Sequence, residues 1–148
     1  MDVIVYVDGA ARGNPGPAGI GVYIEGRSGE QLAELAEPLA PTTNNVAEYT
    51  ALIRGLQKAA ELGATRVQVR TDSELMARQV MGIYKVRAAH LSQLHARALA
   101  LMATFDEAAI RHIPREQNRK ADALSNRGAD IGEGRAGRGP TALDEGPD

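Results

Sequence analysis

Cysteine is absent from this chain of 148 residues, and so is tryptophan. No disulfide framework, thiolate metal site or cysteine nucleophile is therefore available. Aromatic residues make up only 3%, so a core has to come from Ala, Leu, Val and Ile, which a hydrophobic content of 43% can supply. Neither charge sign dominates: 17 Lys and Arg face 19 Asp and Glu, a net charge of −2. That balance gives no global basic signal for nucleic acid or for an anionic membrane, and a polyanion would have to be met by local basic clusters. No apolar run approaches a membrane span. The first run is five residues long and follows Asp2 rather than a basic region, unlike a signal peptide. The expectation is a cytoplasmic protein with one domain and a normal core.

The stretch Val3 to Asn14, VIVYVDGAARGN, organises the rest. Val3, Val5 and Val7 alternate with Ile4 and Tyr6, so both faces are apolar and the segment reads as a central strand covered on two sides. It ends in Asp8, and a carboxylate at the end of a buried strand is costly unless a cation or hydrogen-bond donor receives it. A Gly- and Pro-rich loop, Gly9 to Gly19, follows and lets backbone come close to a partner. Gly19 to Glu25 and Gln31 to Glu37 read as a hairpin around Gly26-Arg27-Ser28-Gly29, the second strand ended by Pro38 and Pro41. A helix is expected over Val46 to Leu62, stopped by Gly63. A strand over Thr65 to Thr71 ends in Asp72. Ser73 to Met81 and His90 to Phe105 read as helices, Glu107 to Ile113 as a strand, and Arg119 to Gly128 as a last helix that Asn118 can cap. From Ala129 onward Gly and Pro crowd the sequence, and 129–148 reads as a disordered tail behind a domain of 1–128. Three sequential strands joined by short turns should be antiparallel, and the later two, separated by helices, parallel. The expected fold is α/β, a mixed five-stranded sheet with helices on both faces.

Two of these strands end in an acid, Asp8 and Asp72, and two helices begin near one, Glu48 and Asp122. In sheets with parallel members, sites form at the rim where helices start. Four carboxylates gathered there would repel, and two divalent hard cations would supply the counter-charge; oxygen-only ligands suit Mg²⁺ or Mn²⁺, not Zn²⁺. Such ions about 4 Å apart are the usual device for in-line attack on phosphodiesters. Each acid alone also has an ordinary reading. Asn45-x-x-Glu48 is a capping box, Asp72 can cap the helix at Ser73, and Asp122 can be a solvated helix residue. His112 at a strand end can be structural.

Four motifs carry a resemblance: YVDGAARGNPGPAG (Tyr6 to Gly19), TTNNVAEY (Thr42 to Tyr49), TDSE (Thr71 to Glu74) and HIPREQNRKADALS (His112 to Ser125). In their order and spacing the chain resembles type 1 ribonuclease H from about Met1 to Gly128. The resemblance implies the mixed five-stranded ribonuclease H-like sheet. It implies Asp8, Glu48, Asp72 and Asp122 as ligands of two Mg²⁺ ions, with Mn²⁺ possible, and His112 as an aid to water activation or product release. Gly9, Asn14, Asn44 and Asn45 would touch the hybrid, and Thr43 would form part of a pocket for a DNA-strand phosphate. The implied reaction is endonucleolytic hydrolysis of the RNA strand of an RNA–DNA hybrid, leaving 5′-phosphate and 3′-hydroxyl ends.

Reading RNA means reading 2′-hydroxyls in a shallow minor groove, a task suited to backbone groups and to Asn amides that donate and accept. Arg111, Arg115, Arg119, Lys120 and Arg127 cluster near Asp122 and could bind a phosphate backbone, balance the acids, or form a solvated face. The segment between the middle helices, Gly82 to His90, is short and holds only Lys85 and Arg87 as formal cations, so the basic protrusion of many relatives is missing. A separate N-terminal hybrid-binding domain is not expected either. Another nuclease of the same fold and a non-catalytic hybrid-binding module stay open as alternatives. No obligate protein partner is evident, and a monomer is expected.

Overall fold

The structure, a computed structural model, describes residues 1–138, with side chains through residue 134. Five strands form one sheet in the order β3-β2-β1-β4-β5. β1 (Asp2–Ala11) pairs antiparallel with β2 (Gly16–Gly26), which pairs antiparallel with β3 (Gln31–Thr42). β4 (Arg66–Thr71) and β5 (Glu107–His112) run parallel to β1. The mixed sheet expected from the sequence is the sheet found. Val3, Val5 and Val7 share a face with Ile20, Val22, Ile24, Val67 and Val69, and all are buried.

α1 (Asn44–Glu61) lies on that face. Its Gly55 approaches so closely that a Cβ there would stand 2.9 Å from methyls of Val5 and Val7. α2 (Glu74–Val80) follows β4, and α3 (Ala89–Met102) packs against α1. α4 (Arg119–Arg138) covers the other face, mostly over β2 and β3. It therefore leaves Ile4 and Tyr6 of β1 only half-buried, so the full two-sided cover expected for this strand is met on one side alone.

Of the boundaries that differ from expectation, three have a physical reason; others, such as α3 ending at Met102 rather than Phe105, shift by up to three residues. β1 runs past Asp8 to Ala11, because β2 continues to pair with it up to Ala18, and the flexible loop shrinks to Arg12–Pro15. β3 passes through Pro38 and Pro41, which an edge strand tolerates since one side needs no ladder donors. The break expected at Gly128 does not occur: α4 continues to Arg138, with Ala129 buried against the sheet. Two of its glycines, Gly128 and Gly132, lie against backbone of β3 and β2 rather than in a turn. The remainder of the expected tail, 139–148, lies outside the described residues.

α4 sits directly on strand backbone. A Cβ on Gly19 would stand 2.1 Å from the Ala129 nitrogen, one on Gly21 2.2 Å from the Ala121 oxygen, and one on Gly128 2.4 Å from the Glu37 oxygen. Gly21→Ala should therefore push α4 off the sheet. A loss of about 3 kcal/mol is expected from such overpacking, read as a lower urea midpoint. Among the described residues no helix is long and apolar enough to cross a membrane.

Candidate active site

The ladder between β1 and β4 ends at Val7 and Thr71. Asp8 is the first β1 residue beyond it, and Asp72 is the first residue beyond β4, so the two acids emerge side by side where the central strands part. Asp8 faces the α4 side and pairs across β2 with Gly21, whose missing side chain makes room for that helix.

Glu48 comes from α1. The capping box read at Asn45 does not form: Thr43 caps the helix, its hydroxyl accepting from the Val46 nitrogen at 3.3 Å. Glu48 instead accepts from the Gly9 nitrogen at 3.0 Å. Gly9 is required there, because a Cβ would stand 2.3 Å from the Ala47 carbonyl carbon. Nor does Asp72 cap α2; Ser73 does, accepting from the Met76 nitrogen. Both acids are thereby released from capping roles.

Carboxylate oxygens of Asp8, Glu48 and Asp72 lie within 4.8 Å of one another. Asp122, in the first turn of α4, stands outside that tight triplet but lines the same open cleft of about 320 Å³, together with Asn44, Arg115 and Asn126. Asp8 and Glu48 are buried. Burial lifts the Asp8 carboxyl to about 7; a hydrogen bond from the Ser125 hydroxyl opposes the rise, and the charges of Asp72 and Asp122 add to it. Burial, then Asp8 and Asp72, hold Glu48 well above the ordinary range, against the Gly9 N–H. Among the described residues the one basic group paired with these acids is exposed Arg115, 3.7 Å from Asp122. A buried cluster of oxygen ligands with too little positive charge fits hard divalent cations.

The other expected site residues divide. Asn14 accepts from the Asn44 nitrogen at 3.0 Å, and Asn44 accepts from the Ala11 nitrogen at 2.9 Å, so both are fixed beside the cleft. Asn45 is exposed on the first turn of α1, next to the capping Thr43. His112 ends β5 opposite Thr71, exposed, and is not among the residues lining the cleft.

Three supporting residues were not recognised in the sequence for what they do. Ser125 donates to Asp8, and Asn126 donates to the Asp122 carbonyl at 2.9 Å. Both lie three or four positions after Asp122, the spacing that shares a helix face, and that spacing was the available signal. Asn118, expected as a cap, turns its amide inward to donate to the Val7 carbonyl at 3.0 Å and, weakly, to Asp72. It thus ties the start of α4 to the ends of β1 and β4.

Comparison with known proteins adds to this geometry. The family model described as reverse transcriptase-like matches residues 6–128. Ribonuclease HI of Halobacterium salinarum is 41% identical over 128 residues, which cover 86% of this chain and 64% of that one. Ribonuclease H of Coxiella burnetii is 34% identical over 86% of this chain and 90% of its own length. A crystal structure of LC11-RNase H1 in complex with RNA/DNA hybrid superposes with a TM-score of 0.83 at 44% identity, covering 87% of this chain and 97% of that one. The chain spans less than two thirds of the Halobacterium protein and only 35% of a matching bifunctional protein of Mycobacterium tuberculosis. With a family model running through all four acids and a ribonuclease H aligned over nearly all of its own length, the chain belongs to the ribonuclease H family.

Proposed function

We propose that the protein is a metal-dependent endonuclease that hydrolyses the RNA strand of RNA–DNA hybrids, leaving 5′-phosphate and 3′-hydroxyl ends. One observation carries the reading: Asp8, Glu48 and Asp72, from three separate elements, bring their oxygens within 4.8 Å in a cleft that Asp122 also lines. The hybrid bound in the LC11-RNase H1 structure supports the substrate class.

The four acids would hold two Mg²⁺ ions, and Mn²⁺ meets the same oxygen-only requirement. When bound, such ions supply counter-charge to the acids, Lewis acidity at a phosphodiester and a more acidic water. The chain's own groups do the rest. Gly9 holds Glu48 through its N–H and brings backbone to the cleft edge. The oxygens of Asn14 and Asn44 are engaged by backbone, which directs their NH₂ groups outward as donors for 2′-hydroxyl or base-edge oxygens. Asn45 and Thr43 extend this surface along the first turn of α1, where the positive end of the helix dipole favours a phosphate. His112 is assigned a proton-handling role from the β5 side, in water activation or product release. Nothing in this scheme requires a second protomer, and the protein is proposed to act as a monomer.

The test incubates the protein with end-blocked, labelled RNA–DNA hybrid, double-stranded DNA and single-stranded RNA, with Mg²⁺ or chelator. Internal cleavage of the RNA strand of the hybrid alone, lost with chelator, is expected. Equal cleavage of all three substrates would remove the specificity, and cleavage indifferent to chelator would remove the metal.

A further inference from the structure

We propose that Arg12, acting through Asn126, is a positioning residue that orients Asp122 for divalent-cation binding, an inference that rests on the metal-dependent reading above. Arg12 stands in the short turn between β1 and β2, and its guanidinium reaches α4 on four acceptors. One nitrogen, Nη1, donates to Asp130 at 2.8 Å and also to Glu133. The other, Nη2, donates to the Asn126 carbonyl and to Asn126 Oδ1, both at 3.1 Å.

That last bond fixes which way the Asn126 amide faces. An arginine can only donate, so Oδ1 must turn toward it and Nδ2 away. Turned away, Nδ2 meets Asp122, 2.9 Å from its carbonyl oxygen and 3.4 Å from its carboxylate. With the amide reversed, two donors would face each other at Arg12 and a carbonyl oxygen would face the Asp122 carboxylate. Among the described residues the other group bonded or paired to the Asp122 carboxylate is exposed Arg115, at 3.7 Å. Asn126 is thus the side chain that can restrain Asp122, and Arg12 decides whether it does.

The relay runs Asp130 and Glu133, Arg12, Asn126, Asp122. Its outer acids lie beyond residue 128, where the family match ends, on the part of α4 that composition had assigned to a tail. The outer pairs are largely exposed, with Asp130 at 69% and Glu133 at 49%, so they add little to folding. Their effect is on orientation. The same guanidinium also fastens the β1–β2 turn, which carries Asn14, to the helix that carries Asp122. Substrate-side and metal-side groups are therefore held in one frame.

The experiment is calorimetric titration of Mg²⁺ into the wild-type protein, Arg12→Ala, Asn126→Ala and the double variant, each checked by thermal melting. Outer partners of metal ligands typically matter by 10- to 100-fold, so about tenfold weaker Mg²⁺ binding is expected for each single variant. The double variant should be no weaker than either single one, because both break the same relay. Wild-type affinity in Asn126→Ala, or losses that multiply in the double variant, would overturn the relay. Should Arg12→Ala fail to fold, Asp130→Asn with Glu133→Gln asks the question from the exposed end; weaker Mg²⁺ binding supports the proposal and unchanged binding overturns it. Absence of Mg²⁺ uptake by the wild-type protein would instead overturn the functional reading itself, and the relay with it.

Discussion

Asp8→Asn is expected to abolish cleavage of the hybrid while the protein stays folded. Asp8 sits at the centre of the acid cluster: it is buried, lies within 4.8 Å of Glu48 and Asp72, and feels the charge of Asp122. The amide keeps its shape and still accepts from Ser125, so the strand and α4 are undisturbed. What it removes is one negative ligand oxygen shared by the whole cluster. A loss of at least about a thousandfold in kcat is expected, or roughly 4 kcal/mol of transition-state stabilisation. Retained turnover would take Asp8 out of the mechanism.

The same substitution should stabilise the metal-free protein at neutral and alkaline pH. Burial raises the Asp8 carboxyl from 3.8 to about 7 in the folded state. Between those values the folded chain binds more protons than the unfolded one, so stability falls as pH rises across that window. The stability linked to the Asp8 proton is fully present below about pH 4 and lost above about pH 7, an effect on the order of 4 kcal/mol. Glu48, raised in the same direction, adds to the trend. With chelator present, the melting temperature of Asp8→Asn should match that of the wild type near pH 4 and exceed it increasingly toward pH 8. Added Mg²⁺ should raise the wild-type melting temperature far more at pH 8 than at pH 5. A wild-type protein that gains stability over the variant as pH rises in chelator would refute the account.

The sheet was readable from the chain because its signals are local. Alternating valines, short turns before α1 and helices after it suffice to orient all five strands. That the acids gather was foreshadowed by their places: Asp72 just past β4, Glu48 and Asp122 in the opening turns of α1 and α4, and Asp8 where β1 parts from β4. Helix and strand limits at Asp8, Pro38 and Gly128 were not, because each is set by a neighbour distant in sequence. β2 holds β1 beyond Asp8, the edge position admits the prolines, and the backbone of Gly19 receives Ala129. Which residue caps α1 was equally hidden, since Thr43, Asn44 and Asn45 are all competent and only the Gly9 N–H decides where Glu48 points. Arg12 gave no hint of its role, for its partners stand more than a hundred residues away.

The glycine seam under α4 has a consequence for how this protein can drift. Where side chains separate a helix from a sheet, any swap of a leucine for a valine alters the spacing. Here main chain rests on main chain at Gly19, Gly21 and Gly128, so that gap has no adjustable filler. The height of Asp122 above the rim is thus insulated from substitutions elsewhere in the interior. A molecule with few rings and many alanines can hold ångström tolerances at its acids because the gauge is the polypeptide itself.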